Sequence, residues 1–212
     1  MGPIVQSHPA ILMLVLRSLI FSLLFYGFFA VCAVTATGIS LISPKSLPPF
    51  TRFWSRAWLA MYRAICSVNY EVRGKENIPH GGCLLAVKHQ SVWDTCALFA
   101  IFDRPVYVLK SELMFIPFFG WALARLGCIP IKRGTGKSAL DDMVRGTRVA
   151  LNSGALWPRR KFLRPPGTIV VEVLSPIPPG RGRKEMFDLM VGKIEEASER
   201  LCGAEESNGS RH

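Results

Sequence analysis

The chain predicts an α/β fold, a sheet flanked by helices and preceded by a membrane helix. Three observations carry this. Ser18 to Ile42 contains 25 residues without a single charge, more than the roughly 20 a helix needs to cross a bilayer. Short apolar runs of strand length alternate with helix-length periodic segments from Leu84 to Arg148, the pattern of a sheet covered on both faces. Thr168 to Leu174 is a Val/Ile-rich strand, followed by an amphipathic closing segment. A chain of 212 residues holds one core and an appendage. The expected divisions are an anchor helix over 1–44, an α/β domain over 45–201 and a disordered tail over 202–212.

The elements follow in order. The N-terminal run is longer than a signal-peptide core, and Met1 to Ala10 has no Lys or Arg before it. It therefore reads as a membrane helix that a proline-rich stretch, Ser43 to Pro49, brings to an end. Arg17 precedes it, while Lys45, Arg52 and Arg56 follow, which favours the rest of the chain on the cytoplasmic side. Phe50 to Ile65 is amphipathic. Its aromatic side chains suit a membrane interface or a packed core equally well. A strand over Asn69–Gly74 and a turn near Pro79 come next. Then follow strand Leu84–Lys88, helix Asp94–Phe102, strand Pro105–Lys110, helix Phe118–Leu126, strand Cys128–Lys132 and helix Ser138–Arg148. Met186, Phe187, Met190, Ile194, Ala197 and Leu201 space a final helix.

The formal charge is +11. A basic chain can serve nucleic acid, but no nucleic-acid motif occurs. Attraction to anionic headgroups and phosphate-bearing substrates is the expectation. The six cysteines form no C-x-x-C and several lie in apolar runs, as reduced buried thiols do. The four histidines have no metal-ligand spacing, so no metal is expected. Gly134-Thr135-Gly136-Lys137-Ser138 imitates part of a phosphate-binding loop, but Ile131 occupies the place of its first glycine.

The chemistry concentrates in Lys88-His89-Gln90-Ser91-Val92-Trp93-Asp94, between two apolar runs. If His89 closes a strand and Asp94 sits in the first turn of the next helix, the two side chains meet. The helix dipole favours a carboxylate there. Asp94 would then fix the tautomer of His89 and stabilise its imidazolium, leaving His89 as a general base without a protein nucleophile. Ser91 reads as the helix cap.

Downstream, Lys110-Ser111-Glu112-Leu113, Ile116-Pro117-Phe118-Phe119-Gly120 and Gly127-Cys128-Ile129-Pro130-Ile131-Lys132-Arg133 follow in order, and Asn152-Ser153-Gly154 and Pro176-Ile177-Pro178-Pro179-Gly180 close the set. Together with the H-x-x-x-x-D motif these resemble the glycerolipid acyltransferase family, in particular the 1-acyl-sn-glycerol-3-phosphate acyltransferases, over residues 50 to 200. The resemblance implies that family's α/β sheet. It implies transfer of a fatty acyl group from acyl-CoA or acyl-acyl carrier protein to the 2-hydroxyl of lysophosphatidic acid. His89 would be the base and Asp94 its orienting partner, while Lys132 and Arg133 hold the acceptor phosphate. No bound cofactor is implied. The implied partners are membrane lipids and the two substrates, without nucleic acid, at a bacterial-type inner membrane. In one respect the chain departs from the pattern. The family's Phe-Pro-Glu-Gly-Thr-Arg motif is missing, as though a strand, an acceptor-binding loop and part of a helix were removed between Arg148 and Val149. A catalytically impaired remnant, or an enzyme for another lysophospholipid, is the alternative.

Overall fold

The computed structural model describes residues 8–81, 83–131, 146–158, 161–177 and 183–209. They fall into two units. One comprises Met1–Ser67, Thr95–Lys137 and Phe162–Pro165; the other comprises Val68–Asp94, Ser138–Lys161 and Pro166–His212.

The first unit begins with α1, His8–Ile42, a 35-residue helix. It is long and apolar enough to cross a membrane. Leu12, Leu16, Leu23, Val31, Val34 and Leu41 leave one side of it exposed. The other side is packed against α2, Leu47–Cys66. Pro48 and Pro49 fit the first turn of α2, where the missing N–H groups have no helical partner. Ser67, at φ 55°, ends the helix. The two helices are antiparallel, and their rings meet at steps of one helical turn. Phe21 lies 4.6 Å from Tyr62, Phe25 5.8 Å from Trp58 and Phe29 6.1 Å from Trp54. The aromatic residues of α2 thus pack into a core, the second of the two roles open from sequence; Phe53 stays exposed.

Arg164 is clamped to the same helix. Its backbone N–H donates to Ser18 Oγ at 3.0 Å and its Nη1 to Ser22 Oγ at 3.0 Å, and the guanidinium lies 5.1 Å from the Phe21 ring. Burial pushes its pKa below the usual arginine value. Burial likewise raises the Cys66 thiol to about 11, against the opposing pull of Arg164 and Arg17.

Strands β3, Val108–Lys110, and β4, Ile129–Ile131, form a parallel pair in this unit. The expected single sheet is therefore two, since among the described residues β4 pairs with β3 alone. Pro130, at its centre, has no N–H to donate, which suits a strand bonded on one side. A tight 3-10 turn, Ser111–Phe115, leads from β3 toward α4, Phe119–Arg125.

The second unit holds a four-stranded sheet in the order β1-β6-β5-β2. Its strands are β1 Val68–Arg73, β2 Leu84–Val87, β5 Gly146–Leu151 and β6 Gly167–Val173. The β1–β6 and β2–β5 pairs are parallel, and β5–β6 is antiparallel. Val149, Ala150, Leu151, Ile169, Val170 and Val171 are buried without alternation, as central strands covered on both faces require. Helix α6, Arg183–Gly209, supplies one cover, packing Ala197 and Leu201 on Ala150 and Val170.

Two expectations change here. Gly146–Arg148 belong to strand β5, not to a helix over Ser138–Arg148; residues 138–145 lie outside the described residues. The pairing of Leu84 with Gly146, Leu85 with Thr147 and Ala86 with Arg148 outweighs the weak helical spacing of that segment. β5 runs through Arg148–Val149, pairing with β2 on one edge and with β6 on the other. Finally, α6 continues to Gly209 rather than ending near Leu201, through Ala and Glu residues of high helix propensity.

Candidate active site

The site is built where two parallel strands end together. Val87 of β2 lies opposite Val149 of β5, so the residues following both strands emerge at one edge. Carboxyl ends of strands in α/β sheets are where ligands bind. From β2 come Lys88, His89 and Gln90, followed by α3, Val92–Ile101. From β5 come Asn152 and the short helix α5, Ser153–Leu156.

Asp94 occupies the first turn of α3, as its spacing from His89 predicts. Its side chain is 2% exposed, and its Oδ2 lies 3.2 Å from His89 Nδ1. The same oxygen accepts from the Gln90 N–H at 2.6 Å and the Ser91 N–H at 2.9 Å. Its other oxygen, Oδ1, accepts from Ser153 Oγ. A buried carboxylate is costly without compensation. Here two backbone donors, a hydroxyl, the imidazole and the positive end of α3 supply it. Ser91 caps α3, its Oγ accepting from the Trp93 N–H at 3.2 Å.

His89 differs in exposure, with 51% of its side chain open to solvent. An ionised Asp94 requires the hydrogen on Nδ1, which places the lone pair on Nε2. That is the arrangement of a base whose tautomer is fixed from behind. No nucleophilic Ser or Cys is needed, since the proton acceptor can activate a hydroxyl of the substrate directly.

Sequence reasoning placed His89 and Asp94 together but missed the support around them. In sequence Ser153 stands out only as part of Asn152-Ser153-Gly154, within the family resemblance. Its role depends on the β2–β5 pairing, which brings a residue 59 positions away onto Asp94. Gln90 contributes too, its Oε1 accepting from the Gly154 N–H at 3.2 Å. A Cβ at Gly154 would stand 2.9 Å from that oxygen, so a side chain there displaces Gln90. Asn152 completes the frame. Its Oδ1 accepts from the Val170 N–H at 2.7 Å, tying the end of β5 to β6. Lys132 and Arg133, the expected phosphate ligands, lie outside the described residues, as does the Gly134–Ser138 segment. Among the described residues no group of His, Cys, Asp and Glu is arranged to hold a metal ion.

The chain is similar to known proteins over this region. Residues 69–158, which include the whole His89–Asp94 segment and Ser153, match the acyltransferase family. A 1-acyl-sn-glycerol-3-phosphate acyltransferase of Pseudomonas aeruginosa is 37% identical over 140 residues. Over these residues the chain is similar to acyltransferases. The alignment to the Pseudomonas protein takes in 63% of this chain and 54% of that one. A 1-acyl-sn-glycerol-3-phosphate acyltransferase of Saccharomyces cerevisiae is 29% identical over 105 residues, 49% of this chain and 35% of that protein. The chain thus spans about half the length, or less, of the curated relatives it matches. The crystal structure of the 1-acyl-sn-glycerophosphate acyltransferase PlsC of Thermotoga maritima superimposes with a TM-score of 0.71. That match covers 88% of this chain and 96% of the other at 17% identity, and it shows that the two chains share a fold.

Proposed function

We propose that the chain transfers a fatty acyl group from an acyl thioester, acyl-CoA or acyl-acyl carrier protein, to the 2-hydroxyl of lysophosphatidic acid, giving phosphatidic acid. The observation that carries this reading is the His89–Asp94 pair, a half-exposed imidazole backed by a buried, fully hydrogen-bonded carboxylate. His89 Nε2 takes the hydroxyl proton as the oxygen attacks the thioester carbonyl. The tetrahedral intermediate expels the thiolate, which takes the proton back from the imidazolium. General base catalysis of this kind is worth about 10²–10⁴-fold. Lys132 and Arg133 are assigned to the acceptor phosphate on their charge and place after β4.

A helix of 35 residues is about 52 Å long, against a hydrocarbon core of about 30 Å. From Phe21 to Phe29 it is also packed against α2, which carries Arg52, Arg56 and Arg63. Charges are costly at the bilayer centre. We therefore assign α1 to the surface of one leaflet, its exposed apolar side in lipid, at a bacterial-type inner membrane with the domain on the cytoplasmic face.

An impaired remnant of the family is the second reading. It is favoured by the missing Phe-Pro-Glu-Gly-Thr-Arg motif and by the unbroken run of β5 across Arg148–Val149. One assay separates the two. Acyl transfer to lysophosphatidic acid by the full chain, lost in His89→Ala, supports the enzyme. Absence of transfer in both, with transfer restored by grafting a relative's missing segment between Arg148 and Val149, supports the remnant.

A further inference from the structure

The turn leading into α4 presents large apolar side chains to solvent. Phe115 is 83% exposed and Trp121 55%, with Ile116 and Phe118 open beside them. Phe118 and Trp121 stack edge to face at 5.3 Å. A concentrated aromatic patch of this kind marks an interaction surface.

The backbone under it is strained. Phe118 has φ 63° and ψ −52°, while the Phe119 N–H bonds to the Pro117 carbonyl at 2.7 Å. This is a γ-turn of the rare hand. Such a conformation costs about 1–3 kcal/mol and persists at functional sites when its surroundings enforce it.

The surroundings are α1. Thr37 Oγ1 donates to the Phe118 carbonyl at 2.9 Å, and the Phe119 ring lies 5.1 Å from Phe29. Ala122 packs with Ala36 and Leu47. The face of α4 that touches α1 is therefore closed, and the aromatic patch is on what remains. Thr37 lies five residues from the end of α1, about 8 Å along the axis. A carbonyl bonded to it shares its depth in any membrane that α1 enters. The charge pattern agrees, since residues 105–125 hold one acid, Glu112, against Lys110 and Arg125.

We propose that Phe115, Ile116, Phe118 and Trp121 form a second membrane contact, inserted into the interfacial zone of the leaflet that receives α1. The occupant of the patch is lipid. Aromatic side chains favour that zone, and Lys110 and Arg125 at its flanks suit anionic headgroups. The proposal rests on the membrane reading of α1 and not on acyl transfer.

Tryptophan fluorescence tests it in the full chain. Of the five tryptophans, Trp54, Trp58, Trp93 and Trp157 are buried and Trp121 is exposed. In vesicles of phosphatidylcholine and phosphatidylglycerol brominated on the acyl chains, the emission of the wild-type chain should be quenched. Trp121→Phe should remove most of that bromine quenching. Vesicles without bromine should shield Trp121 from aqueous iodide. Phe115→Ser should weaken vesicle partitioning about tenfold, and Phe115→Leu should retain it. Vesicle binding with bromine quenching unchanged by Trp121→Phe, or with Trp121 still open to iodide, overturns this contact while leaving α1 as an anchor. Failure to bind vesicles at all overturns both.

Discussion

Asp94 is the residue on which the site depends, and its partners make separable predictions. Asp94→Asn keeps the shape but removes the charge that, in the proposed reaction, would stabilise the His89 imidazolium. It also turns an acceptor toward Ser153 into a group that can donate. Transfer should fall by at least 10²-fold, mainly in kcat. Ser153→Ala removes one of the carboxylate's hydrogen bonds and no group in line with the substrate. Its effect should be smaller, about tenfold, at the low end of the range of about 1.5–3 kcal/mol that a hydrogen bond to a charged group is worth. Combining Ser153→Ala with Asp94→Asn should then cost little beyond Asp94→Asn alone. Additive losses in that double mutant would show that Ser153 acts independently of the carboxylate. The thiols give a second residue-scale test. Burial pushes the Cys66 thiol up to about 11, above the ordinary thiol value of 9.0. A raised thiol pKa favours the neutral form in the folded chain, so this contribution to stability is present below pH 9 and is lost as pH rises toward 11. At pH 8 iodoacetamide should leave Cys66 unmodified in the native chain and modify it after denaturation, as peptide mass spectrometry would report. Rapid native labelling of Cys66 would contradict its burial.

Asn152 shows what an element boundary can demand of one side chain. It stands after β5 and completes the ladder to β6 by accepting from the Val170 N–H. Asn152→Ala leaves a buried donor without its partner, which costs about 1–3 kcal/mol. It should lower the thermal midpoint while also loosening the approach of Ser153 to Asp94. A stability loss with unchanged transfer would separate the two effects. The elements were legible in sequence where period and composition agreed. The apolar run of α1, the capped start of α3 at Ser91 and the Val/Ile run of β6 could all be read directly. His89 and Asp94 were legible because five residues of one segment suffice to bring them together. Ser153 was not, because its position depends on a pairing between strands far apart in the chain. Gly146–Arg148 were misread as helix for the same reason, since β2 supplies the hydrogen bonds that decide their conformation. Pro130 suits a strand that, among the described residues, is bonded on one side, and its missing N–H matters only once its neighbours are known.

At the scale of the molecule, α1 is more than a tether. The sequence treats residues 1–44 as an anchor separable from an α/β domain. The packing makes α1 part of the unit that contains α2. Trp58 and Tyr62 are fully buried with Phe25 and Phe21 against them. Each such aromatic pair contributes about 0.5–1.5 kcal/mol beyond its buried area. Arg164 would lose the Ser18 and Ser22 oxygens as well. Deleting residues 1–42 should therefore yield a chain that is not simply released from membranes. With Trp54, Trp58 and Tyr62 uncovered, it should aggregate and lose its cooperative thermal transition. The membrane contact should instead be removable from the exposed side alone. Leu12→Ser, Leu16→Ser and Leu23→Ser together alter residues that α2 does not cover. They should weaken vesicle binding strongly while leaving near-ultraviolet circular dichroism, and so the packing of the aromatic core, unchanged. A soluble, cooperatively folding deletion of residues 1–42 would show that α2 and Arg164 find other partners, and that the anchor is separable after all.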